Sequence, residues 1–137
     1  MNPSENQATR IGVAIVFSGD QLLVGVREAH QVLAGAHEFP GGKCLPDETP
    51  EQCAIRECQE ETGLAVQVVE LLDRRVHDYP HGRVEVSFFE CITESNVSDP
   101  LLGNFRWIRR NELESCRFPE ANRHVVDLIL SRSPSRS

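Results

Sequence analysis

The sequence has no excess of basic residues, no long apolar run and no C-x-x-C pair, and each absence removes a class of function. Lys and Arg number 14 against 21 Asp and Glu, for a formal net charge of −7. A sequence-independent grip on a nucleic-acid polymer needs the opposite sign. A small nucleotide stays open as substrate, because a bound cation screens its phosphates from an acidic protein. No apolar run approaches the roughly 18–20 residues of a membrane span, so no membrane partner is expected. The stretch MNPSENQATR has no apolar h-region, so no signal peptide is expected either. The five cysteines (Cys44, Cys53, Cys58, Cys91, Cys116) are odd in number and unpaired in spacing. That argues against a disulfide framework or a zinc site and fits a reducing cytoplasm. His30, His37, His77, His81 and His124 show no metal-ligand spacing. There is no Walker A motif, no G-x-S-x-G and no G-x-G-x-x-G.

What is present suits one globular domain. The 137 residues are 39% hydrophobic and 26% charged, enough for a core. Residues 1–9 and the tail 131–137 (SRSPSRS) are too polar to bury and are expected to be disordered. Residues 11–17 (IGVAIVF) and 21–26 (QLLVGV) flank a Ser-Gly-Asp turn and predict a hairpin. Residues 28–36 read as a loop, and 37–39 as a short strand stopped by Pro40. Two longer strands are predicted at 64–76 and 83–92, joined by YPHGR turn chemistry. A polar loop at 93–103, a strand at 105–108, a helical turn at 111–113 and a last helix opening at Pro119-Glu120 complete the chain. Strands interleaved with two helices predict an α/β or α+β fold, a mixed sheet with helices packed on it.

Residues 41–64 (GGKCLPDETPEQCAIRECQEETGL) carry the chemistry. Thr49 suits an N-cap, Pro50 the first helical position and Gln52 a capping box, while Gly63 suits the residue past the end. The predicted helix therefore runs from Pro50 to Thr62. Spacings of three and four put Glu57, Glu60 and Glu61 on one face. Ile55, Cys58 and Thr62 form the stripe expected to be buried, and Arg56 can pair with Glu60 four residues on. Alone, three such glutamates read as a solvated face. As a group they offer the hard oxygen ligands that Mg²⁺ prefers, usually shared with a substrate phosphate.

Gly42 is followed after five residues by Glu48, and after seven more by Arg56-Glu57-Cys58, Glu60-Glu61 and Gly63-Leu64. This arrangement resembles the signature box of the Nudix family, hydrolases of nucleoside diphosphates linked to another group. Cys58 stands where an aliphatic residue is usual, a change of packing rather than of chemistry. The resemblance implies an α/β/α sandwich with a mixed sheet, and Mg²⁺ or Mn²⁺ as cofactor. It makes Glu57, Glu60 and Glu61 metal ligands or water-activating groups, with the Gly41 carbonyl as a further ligand. It makes Arg56 the residue that orients the glutamates, and Glu48 a structural partner.

The words EFPGGK, ETPEQ and FPEAN, with Trp107, are similar to the MutT-type branch of the family, which hydrolyses 8-oxo-dGTP to the monophosphate and pyrophosphate. That likeness implies substrate contacts at Arg27, Glu38, Phe39 and Asn122. From the residues alone Phe39 reads equally as core, Arg27 as a surface residue at a strand end, and Asn122 as a first-turn or capping residue. As a base reader Asn122 would use an amide that both donates and accepts. Two positions depart from the branch. Its loop glutamate is matched by Leu101, with Asp99 and Glu94 in the same loop. Its turn arginine is matched by Gly82, followed by Arg83.

Three functions follow as expectations. The first is Mg²⁺-dependent hydrolysis of 8-oxo-dGTP, which keeps oxidised guanine out of the nucleotide pool. The second is hydrolysis of another nucleoside diphosphate derivative, such as a dinucleoside polyphosphate, a nucleotide sugar or a pyrimidine nucleotide. The third is a non-catalytic nucleotide-binding domain, whose usual mark, a lost box glutamate, is missing here. The expected partner is a small nucleotide, the expected setting cytoplasmic, and the expected state a monomer or homodimer.

Overall fold

Alternation along the strands builds two cores on opposite faces of one sheet. The computed structural model describes residues 8–31, 34–93 and 97–132. The expectations for residues 1–7, 133–137 and Glu94 lie outside them. The strands are β1 (Thr9–Ser18), β2 (Gln21–Val26), β3 (His37–Glu38), β4 (Gly41–Lys43), β5 (Val66–Tyr79), β6 (Gly82–Thr93) and β7 (Phe105–Arg109). The helices are α1 (Pro50–Thr62) and α2 (Glu120–Ser131), and a 3₁₀ turn covers Arg110–Ser115. Ile15, Leu22, Val24 and Phe88 face Val125, Val126 and Ile129 of α2. Their neighbours Ala14, Val16, Leu23 and Phe89 face Ala54 and Cys58 of α1. A period of two thus separates the cores, and the result is an α/β/α sandwich.

The sheet is mixed. Strand β1 runs parallel to β6 from Thr9↔Val84 to Phe17↔Ile92, and the other pairings are antiparallel. The opposite edge of β1 is divided: β4 takes Ile11–Val13 and β2 takes Phe17 and Ser18. Between them Ala14 donates its N–H to the Pro40 carbonyl at 2.9 Å. Pro40 has no N–H to give, so the ladder breaks there and the sheet forks. Among the described residues, no helix is long and apolar enough to cross a membrane.

The α1 helix has the punctuation its sequence predicts. The Thr49 side chain accepts from Gln52 N–H, and the Gln52 side chain accepts from Thr49 N–H. Gly63 closes the helix in the left-handed region at φ 86°. Cys53, Ala54, Cys58 and Thr62 are buried, and Ile55 packs beside them. Gly12 sets how closely α1 approaches β1, because a Cβ there would stand 2.5 Å from the Pro50 carbonyl oxygen. All five cysteines are free thiols. Burial pushes the Cys58 thiol up to about 11 and the Cys91 thiol up to about 12, which makes them packing groups rather than nucleophiles.

Thr9 and Ser131, expected in disordered tails, instead belong to β1, where Thr9 pairs with Val84, and to the last turn of α2. Two further details concern β4 and β5. The three-residue β4 falls within a glycine turn, where Gly-Gly-Lys offers no apolar alternation to read. Strand β5 extends to Tyr79 although most of its outer half is exposed, because β6 pairs with it along nearly its whole length.

Candidate active site

The site lies at the fork, where β3, β4 and α1 meet. Bonds from Ala14 N–H to Pro40 and from Cys44 N–H to the Arg10 carbonyl leave the Val13–Gly41 pair non-hydrogen-bonded. The Gly41 N–H and C=O therefore turn away from β1. The N–H meets Glu61 Oε1 at 3.2 Å. Next to it, Gly42 makes room for a side chain: a Cβ there would stand 2.5 Å from the Glu57 carboxyl carbon. Glu57 and Glu61, one turn apart, both reach this corner.

Arg56 organises one half of the acidic face. Its Nε and Nη2 meet the two Glu48 oxygens at 2.6 and 2.9 Å. Its Nη1 meets Glu57 at 3.2 Å and Glu60 at 3.1 Å, and Nη2 also reaches the Lys43 carbonyl. The Arg56 fork, with a further bond from Leu45 N–H, holds the Glu48 carboxyl down at about 2. In return Glu48 keeps Arg56 firmly protonated. Arg10 secures the loop beneath, donating to the carbonyls of Glu48 at 2.6 Å and Leu45 at 2.9 Å. No sequence spacing pointed to Arg10, because its partners lie 35 and 38 residues away.

The other half centres on Glu61, which has no cationic partner among the described residues. Burial pushes the Glu61 carboxyl up to about 7 against the pull of Gly41 N–H, and the negative charges of Glu57 and Glu38 push it further. Glu38 in turn pairs with Arg27 at 3.0 Å, with both side chains about 30% exposed (30% and 27%). The fork thus gathers Glu57, Glu61, Gly41, Glu38 and Arg27. Glu60 sits on the solvent side of Arg56, 58% exposed.

The donor set fits a hard cation. Two adjacent carboxylates, Glu57 shared with Arg56 and Glu61 with no cationic partner among the described residues, and a backbone carbonyl turned from β1 are oxygen ligands of the kind Mg²⁺ takes, with water and phosphate filling the rest of its shell. Among the described residues, no three His, Cys, Asp or Glu side chains converge tightly enough to enclose an ion by themselves. The reason is visible: Arg56 draws Glu60 away, and Glu61 turns to Gly41.

The remaining candidates are less closely tied to the fork. Phe39 is buried and stacked on Phe118 at 4.8 Å between ring centroids, so its side chain belongs to the core. Pro119 occupies the N-cap position of α2, so Asn122 is not the cap. The Asn122 N–H bonds the Pro119 carbonyl, and its half-buried amide has no hydrogen-bond partner among the described residues. Leu101 packs on the α1-side core, and Asp99 is exposed in the same loop. Arg83 is held by Asp78 at 2.8 Å across the β5–β6 turn.

A two-sided sandwich with an acidic helix beside a glycine turn is the layout that the resemblance of residues 42–64 implies. The chain belongs to the Nudix family, whose domain matches residues 12–128, and is a pyrophosphohydrolase of that family. It is 31% identical to the 8-oxo-dGTP diphosphatase of Haemophilus influenzae over 116 residues, 82% of this chain and 84% of that one. It is 41% identical to the 8-oxo-dGTP diphosphatase of Proteus vulgaris over 75 residues, 55% of this chain and 66% of the relative. A 57-residue stretch is 40% identical to the CTP pyrophosphohydrolase of Escherichia coli, 42% of each protein. The solution structure of the DNA mismatch repair protein MutT from methicillin-resistant Staphylococcus aureus superposes with a TM-score of 0.71 at 27% identity, covering 93% of this chain and 99% of that one.

Proposed function

We propose that this enzyme hydrolyses 8-oxo-dGTP to 8-oxo-dGMP and pyrophosphate with Mg²⁺ or Mn²⁺ as cofactor. The observation that carries the proposal is the charge-crowded corner of Glu57 and Glu61 beside Gly41, in a chain whose relatives include 8-oxo-dGTP diphosphatases. Glu57, Glu61 and the Gly41 carbonyl would hold the cation, with Glu60 completing the acidic face. When bound, the cation neutralises phosphate charge and brings the pKa of a water toward neutrality.

The protein groups divide the remaining work. Arg56 fixes the rotamers of Glu57 and Glu60 through its fork. Glu61, whose carboxyl is raised to about 7 by burial in the metal-free protein, would be drawn to its charged form by the cation and would then accept a proton from the attacking water. Asn122 would read the edge of the oxidised base with an amide that offers both donor and acceptor. Arg27 would contact the nucleotide, and Glu38 would set the Arg27 side chain through their ion pair. Phe39 would line the base site from beneath by holding Phe118 in place. The substrate is a free nucleotide, and a cytoplasmic setting goes with it.

The test is kcat/KM for 8-oxo-dGTP and dGTP side by side with Mg²⁺, with the products identified. A preference above about tenfold for the oxidised base, roughly 1.4 kcal/mol in the transition state, is expected. Equal, poor turnover of both would retire this substrate. The similarity to a CTP pyrophosphohydrolase and Leu101 at the loop-glutamate position favour a second reading, another nucleoside di- or triphosphate. Turnover of CTP above that of 8-oxo-dGTP would establish it.

A further inference from the structure

The polar link between the strand that carries Glu38 and the turn that leads to Asn122 is made by His37, beside the stack of Phe39 on Phe118. In β3 the Val26–His37 pair is non-hydrogen-bonded, because Arg27 N–H bonds the Ala36 carbonyl one position on. The backbone of His37 therefore faces outward, away from β2. It donates its N–H to the Arg117 carbonyl at 2.6 Å. Its ring then returns to the same residue: Nδ1 accepts the Arg117 N–H at 3.1 Å. Both polar groups of one peptide residue are thus held by one histidine. The ring also lies 5.8 Å from the Phe118 ring, which stacks on Phe39.

The consequence is geometric. Arg117 and Phe118 lead directly into Pro119, the N-cap of α2, and Asn122 stands in its first turn. Glu38, the next residue along from His37, pairs with Arg27. A bond between His37 and Arg117 therefore fixes the separation of two side chains proposed to face the nucleotide. The backbone half of the clamp survives substitution by any residue but proline. The ring half does not, and it is the half that sets the direction of the Arg117 N–H.

We propose that His37 is a positioning residue for base specificity, acting through the Arg117 peptide on the placement of Asn122 relative to Glu38. This rests on the reading of Asn122 as the base contact. The pair His37→Ala and His37→Asn separates the bond from the bulk of the ring, because the Asn carbonyl oxygen can take the place of Nδ1 as acceptor. His37→Ala is expected to raise KM for 8-oxo-dGTP about fivefold, to leave kcat within about twofold, and to reduce the preference over dGTP. His37→Asn is expected to restore most of the preference. Unchanged KM and preference in His37→Ala, or an Asn variant no better than Ala, would overturn the proposal. Amide hydrogen exchange at Arg117 reads the clamp without any substrate. Protection should fall about fivefold or more in His37→Ala and be kept in His37→Asn. Unaltered protection in His37→Ala overturns the clamp itself. Altered protection with no base preference in the wild type retires the substrate reading instead.

Discussion

The two halves of the acidic site, one in the loop that enters α1 and one at the end of the helix, treat the same kind of side chain in opposite ways. Glu48 lies in the grip of Arg56 and is held down at about 2, while Glu61, half-buried beside two other carboxylates, is pushed up to about 7. The first half is finished: every charge has a partner, and the loop beneath is pinned by Arg10. The second half packs Glu61 against Glu57 and Glu38, whose charges Arg56 and Arg27 share, while Glu61 itself has the Gly41 N–H and no cationic partner among the described residues. A fold gains nothing from such crowding unless something positive comes to it. The contrast assigns structure to one half and chemistry to the other, although both derive from one run of sequence.

The contrast is sharpest if the crowded half is neutralised. Glu57→Gln and Glu61→Gln are expected to lower kcat by about 10²- to 10⁴-fold in steady-state assays. Metal-free Glu61→Gln should melt no lower than wild type, because the change removes a charge crowded by Glu57 and Glu38, whereas Glu57→Gln also gives up the pair with Arg56. Near wild-type turnover in both would place the chemistry elsewhere. Gly42→Ala comes next. Its Cβ would meet the Glu57 carboxyl, so turnover should fall on the order of 10²-fold through misplacement alone, with the helix intact by circular dichroism. Glu48→Gln, in the finished half, should weaken the Arg56 fork, lowering both the melting temperature and, by about tenfold, turnover. If Glu48→Gln cost more activity than Glu61→Gln, the division of labour would be reversed.

The smallest effect is on pH dependence, and the two halves should show opposite signs. Glu48 binds its proton less tightly folded than unfolded. Its stabilising contribution is present above the ordinary value of 4.5 and is lost as pH falls toward about 2. Glu61 binds its proton more tightly folded. Its contribution to metal-free stability falls as pH rises from 4.5 to about 7, and is level beyond. Denaturant melts across pH in wild type and Glu61→Gln would separate them, because the neutral-range slope should disappear in the variant.

Much of this was legible in the sequence where the physics is local. The ends of α1, the Arg56–Glu60 pair and the burial of Cys58 and Thr62 follow from capping chemistry and helical spacing within one segment. The apolar runs of β1 and β2 are equally local, but their division between two cores was seen only in the structure. What could not be read depends on contacts between distant residues. Strand β4 exists because β1 receives it. The crowding around Glu61 needs Glu38, 23 positions earlier in the chain, and the His37–Arg117 clamp spans 80 positions. Phe39 kept its two readings until Phe118 was seen stacked on it. Asn122 was open as a possible cap until Pro119 was found in that place.

The most direct test of the central claim is the melting temperature of wild type and Glu61→Gln as Mg²⁺ is titrated at pH 7.5. Binding to the folded state alone raises stability with the concentration of free ion. The account predicts a rise for wild type that is largely abolished in Glu61→Gln. An equal rise in both would show that the cation sits away from the crowded corner, and would contradict it.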